Sequence, residues 1–135
     1  MTDEELVKAF ESTELPASAF PHAAHVRVAW WYLRSAPFHV ALARFAAALQ
    51  AFAAAKGASH KYHETITVAW MALVAERLAR TPDLAWDGFA AAHPELFQRP
   101  SHVTQLYSEA RLASDDARCT FVLPDLSGPT HATAP

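Results

Sequence analysis

Apolar residues recur along much of this chain at alternating spacings of three and four, with prolines and glycines punctuating the runs. Phe38, Leu42, Phe45, Leu49 and Phe52 form the clearest stripe and predict a core-facing helix over about 38–56, ended by Gly57. The helix before it, over about 22–35, must stop at Pro37, because the residue preceding a proline avoids the helical region. A third helix is expected over about 61–80. Thr81 and Pro82 then offer a cap and a first helical residue for a fourth, ending near His93-Pro94. A short helix over about 3–11 precedes these four, opened by Thr2 or Asp3 and acidic in its first turn. Beyond them come a shorter helix over about 101–107 and a helical turn begun by Ser114. The final stretch "SGPTHATAP" has no apolar anchor, so residues 127–135 are expected to form a flexible tail.

The connections between the four main helices are short, which makes neighbours antiparallel. The expected fold is therefore all-α: an up-down bundle of four main helices, with the short N-terminal helix and a C-terminal segment packed across it, in a single domain over 1–126. Composition agrees. A chain of 135 residues suits one core, and three glycines among abundant alanines disfavour sheets. A net charge of −3 without a basic face argues against a nucleic-acid partner. The single Cys119 leaves no internal disulfide and no cysteine-rich zinc site, as suits a reducing compartment. The beginning, "MTDEELVKAFESTEL", is acidic and amphipathic rather than a basic-then-apolar signal, and no apolar run is expected to reach bilayer-spanning length. These features point to a cytoplasmic protein with no membrane partner.

The topology has a chemical consequence. In an up-down bundle the starts of the first and third main helices and the end of the fourth lie together. His22 and His25, then His60, His63 and Glu64, then His93 are expected to converge at that end, with His39 at the other. Each helical residue advances about 100°. His22 and His25 thus share a face with Val26, Ala29 and Leu33, while Arg27, Trp31 and Arg34 face away. That outer strip is read either as a subunit contact, which would make a homodimer, or as solvated surface. His63 lies on the face of Trp70 and Val74 with Thr67 beside it, Glu64 sits at the margin, and His93 extends the stripe of Trp86 and Phe89.

An inward imidazole needs a partner for each ring nitrogen, since an unpaired buried polar group costs about 1–3 kcal/mol. Several imidazoles can meet that need by sharing a divalent ion, zinc or iron(II) above all. On this reading His22, His25 and His63 hold the metal, Glu64 supplies a carboxylate or a general base, and Tyr107 or His93 orients the bound group of a small-molecule substrate. The protein would be a small metal-dependent enzyme, with hydrolase, lyase and oxygenase chemistry left open. Two other readings stand beside it: a metal-free module binding an anionic or polar metabolite by the same imidazoles and helix N-termini, and a structural bundle whose histidines only make hydrogen bonds. The four tryptophans are read as core.

Taken together, "FPHAAHVRVAW", "KYHETITVAW", "AAHPELF" and "YSEARLASDDARCTFVLPDL" resemble a family of small uncharacterised bacterial all-helical proteins with F-x-H-x-x-H-x-R and K-Y-H-E-T motifs. The likeness covers about residues 20–126. It implies that the positions of His22, His25, Arg27, His63, Glu64, His93-Pro94 and Tyr107 recur in such proteins, whereas His60 and His39 match nothing. It implies no activity, substrate or metal.

Overall fold

The computed structural model describes residues 1–126, so the expected flexible tail lies outside the described residues. Those residues are all-helical, with 71% in helix and no strand. The elements are α1 (Asp3–Glu11), α2 (His22–Ser35), α3 (Phe38–Ala55), α4 (Glu64–Arg80), α5 (Trp86–Ala92), α6 (His102–Leu106), α7 (Glu109–Leu112) and α8 (Asp115–Cys119). Three 3-10 turns, Ala17–Ala19, Ser59–Lys61 and Pro94–Phe97, link them.

Local chemistry sets the helix ends. Thr2 opens α1 with a capping box, its hydroxyl accepting from the Glu5 N–H at 3.1 Å while the Glu5 carboxylate accepts from the Thr2 N–H at 3.3 Å. The third main helix begins at Glu64 rather than near residue 61, because the His63 side chain acts as its cap. Thr81 was expected to open the fourth helix and instead closes α4. Its N–H bonds back to the Arg77 and Leu78 carbonyls and its hydroxyl donates to Arg77 O at 3.1 Å, so it belongs to the helix behind it. The next helix is consequently delayed to Trp86 and is only seven residues long.

With α5 so short, α1 completes the packing around α2, α3 and α4. Phe10 on α1 is fully buried and meets Phe20, Phe52 and Phe45 at ring separations of 4.7, 5.4 and 6.1 Å. Arg27 donates to Asp3 at 2.7 Å from Nε, tying α2 to α1 rather than presenting a free outer strip. The α2–α3 pair is antiparallel: Phe20, just before α2, meets Phe52 near the end of α3 at 5.1 Å, while Tyr32 meets Phe45 at 6.1 Å.

The C-terminal segment packs across the start of α4. Thr65 donates to Thr120 O at 2.8 Å and accepts from the Val122 N–H at 3.1 Å. The expectation that no apolar run reaches spanning length is corrected by α3. Among the described residues it is the one helix long and apolar enough to cross a bilayer by length and composition, with a mean hydropathy of 1.4. Its many alanines supply that value, and Ala41, Phe45 and Phe52 pack into the bundle.

Candidate functional site

Where α2 and α4 begin and α3 ends, the three helices leave a cavity of about 520 Å³ between them. Small side chains such as Ala29 and Ala53 stand where larger ones would close it. Its walls are largely apolar, with Phe20, Phe45, Phe52, Trp70 and Met71 among them. Among the described residues the polar lining consists of His22, His25, His63, Lys56, Lys61, Tyr62 and Thr67, with no aspartate or glutamate. Histidines about forty residues apart in sequence therefore do face one space.

Each of the three imidazoles is anchored to a backbone carbonyl. His22 Nε2 donates to Leu96 O at 2.9 Å and the ring packs edge-on against Trp70 at 4.7 Å. His25 Nδ1 donates to Pro21 O at 3.1 Å and stacks on Phe20 at 3.8 Å. His63 Nε2 donates to Leu112 O at 2.7 Å, and its Nδ1 accepts from the Ile66 N–H at 3.1 Å. A neutral imidazole has one donor and one acceptor, so His63 is saturated, whereas His22 Nδ1 and His25 Nε2 keep their lone pairs. Among the described residues no three His, Cys, Asp or Glu side chains are arranged to share an ion.

The other expected members are not brought to this cavity. The Glu64 carboxylate accepts from Tyr62 Oη at 2.5 Å and lines an adjacent cleft with His60, Arg118 and Cys119. Position explains this, since Glu64 is the first residue of α4, about 100° round from the cap. His93 is buried beside the far end of α4, donating from Nε2 to Thr81 Oγ1 at 2.8 Å. Its partner Thr81 closes the helix that His63 opens, and His93 is not among the residues lining the cavity. Tyr107 is also buried and gives its hydroxyl proton to Val122 O at 2.8 Å, a bond that pins the C-terminal segment.

Tyr62 lines the cavity and shares its phenol with the Glu64 side. Burial and the bond to Glu64 push its pKa up to about 12, so it remains a neutral phenol at physiological pH. Lys56 and Lys61 are the residues that sequence reasoning passed over. The available signal was their placement, one at the end of the second main helix and one two residues before His63. Trp70 was read as core; it is a cavity wall, on the same face as His63 seven residues earlier.

Comparison of the chain with family models, with curated proteins and with solved structures gives no match.

Burial holds the His25 imidazole below its ordinary pKa of 6.5, against a smaller opposing effect of the Pro21 bond and with the nearby His22 adding to the depression. In the unfolded chain the ring protonates near 6.5, while in the folded chain it resists protonation until lower pH. The unfolded state therefore binds more protons across that window, and the His25 contribution to stability is complete above 6.5 and lost as pH falls through the folded value. Denaturant midpoints recorded from neutral pH downward should fall less steeply in His25→Gln than in the parent. Equal slopes would show that His25 titrates alike in both states.

Proposed function

We propose that this protein binds a small, largely apolar organic molecule in the cavity between α2, α3 and α4, with the polar groups at the helix ends fixing its orientation. The observation that carries this is the cavity itself, about 520 Å³ and walled mainly by aromatic and aliphatic side chains, with a few polar groups gathered from three helices. That volume falls inside the range of about 300–1,000 Å³ typical of small-molecule sites. On this reading the molecule is a helical binding protein of the cytoplasm, where the exposed Cys119 thiol would stay reduced.

The metal-dependent enzyme is the second reading, and one observation favours it. His22 and His25 each give one ring N–H to a carbonyl and keep the other nitrogen free, the arrangement usual for metal-bound imidazoles. Against it, His63 has no free nitrogen and the lining has two lysines and no carboxylate to offset a divalent charge.

Ligand-observed NMR with a panel of small apolar acids, alcohols and amides tests the first reading. Binding is expected to the parent protein and not to Ala29→Phe, whose ring would occupy the cavity. A panel that bound neither protein would sink it. Elemental analysis of protein purified without an affinity tag tests the second: stoichiometric zinc or iron, lost in His22→Ala, would put the metal reading first.

A further inference from the structure

The cavity has two chemically different ends. His22, His25, Lys56, Lys61, Tyr62 and His63 come from the first turn of α2, the residue closing α3, the Ser59–Lys61 turn and the approach to α4, all at one end of the bundle. Val26, Ala29, Met71 and Val74 lie one to three turns further along α2 and α4 and are apolar. The polar end is also electropositive. Two lysines border it and no acidic side chain lines the space, the neighbouring Glu64 being on the adjacent cleft and engaged by Tyr62. The Lys56 ammonium lies 5.3 Å from the centroid of the Phe52 ring, itself a cavity wall, which keeps that charge close to the lining. Helices α2 and α4, 14 and 17 residues long, start here and the 18-residue α3 ends here, so the positive ends of two dipoles outnumber the negative end of one beside the lysines.

We propose that the ligand is an apolar monoanion, a carboxylic acid with a medium-length alkyl or aryl body. Its carboxylate sits at the Lys56–Lys61 end and its body runs between α2 and α4. This assignment rests on the reading of the cavity as a small-molecule site and adds the charge and the orientation of the occupant. A cation would meet two ammonium groups, with two helix N-termini against one C-terminus. A compact inorganic anion would find the positive end but leave the apolar end unfilled. A carboxylic acid with a hydrocarbon body satisfies both, the carboxylate accepting charge-assisted hydrogen bonds from the lysines while the body replaces water against Trp70, Met71 and Val74.

Calorimetric titration of the full chain at neutral pH with hexanoate, octanoate, decanoate and 1-decanol tests this. Affinity should rise about fourfold for each methylene added along the acids, from the transfer free energy of a buried CH₂. Decanoate should bind at least about tenfold more tightly than 1-decanol, the margin of a charge-assisted hydrogen bond. The double variant Lys56→Gln/Lys61→Gln, checked by circular dichroism for an unchanged helical spectrum, should bring decanoate down to the affinity of the alcohol. Equal binding of acid and alcohol by the parent would overturn the anionic assignment and leave a neutral-ligand site. Retention of the acid preference by the double variant would overturn the placement of the head group. Binding of neither compound would remove the small-molecule reading together with the proposal.

Discussion

Phe10→Ala is expected to lower the unfolding free energy by about 3–5 kcal/mol, the usual cost of removing a buried aromatic ring. That is a large share of the roughly 5–15 kcal/mol that holds a domain of this kind together. Phe10 has no exposed surface and touches three other phenylalanines contributed by α3 and by the segment before α2. Those partners are held rigidly on two sides, so the space left by the ring cannot collapse cheaply. The polar tie between the same helices, Arg27 to Asp3, is about a quarter exposed on each side chain and worth at most about 1 kcal/mol. Apolar packing rather than the ion pair therefore docks α1. Urea denaturation followed by circular dichroism measures both, with Asp3→Asn as the contrast. A Phe10→Ala penalty below that of Asp3→Asn would show that α1 is held by charge. The substitution should also weaken ligand binding, because Phe20 and Phe52 are walls of the cavity as well as partners of Phe10.

His63→Ala is expected to cost about 2–4 kcal/mol, equally in chelator and in excess zinc. Two bonds are lost with one ring. The Ile66 N–H loses its cap, worth about 1 kcal/mol, and the Leu112 carbonyl loses a donor on a part-buried bond, worth about 1–3 kcal/mol. Neither bond involves a metal. His63→Asn can cap the helix but cannot reach Leu112 in the same way, so it should recover about 1 kcal/mol. If His63 were a metal ligand, the penalty in zinc would exceed that in chelator by about 3–4 kcal/mol at a hundred to a thousand times the dissociation constant. Paired denaturation curves for the parent and both variants in the two media decide the matter, and a medium-dependent penalty would return His63 to the ligand set.

The helices, their order and the face shared by His22 and His25, which both line the cavity, were legible in the chain because they depend on local terms. The apolar stripe of α3, the prolines at 21 and 37 and the caps Thr2 and Ser114 act within a few residues of themselves. The same locality explains the meeting of His22, His25 and His63 around one space: short connections force neighbouring helices to reverse, and reversal brings the starts of α2 and α4 together. What a ring nitrogen bonds to is a different matter. The carbonyls of Leu96 and Leu112 that take the protons of His22 and His63 lie 74 and 49 residues away, and no periodicity points to a carbonyl.

Thr81 illustrates the boundary. Its composition context suits an N-cap, and whether its hydroxyl turns forward or back is decided by α4 continuing to Arg80 under tertiary packing. That one choice delayed α5 to Trp86 and tied His93 to Thr81, so His93 is buried as its inward face predicts but does not line the cavity. Glu64 went the same way through its direction around the helix axis. Sequence determined which residues could form a polar end. Packing decided that the end would hold two lysines and no carboxylate, because the sign of a cavity depends on which side chains of several helices turn into it, and that is settled only when the helices meet.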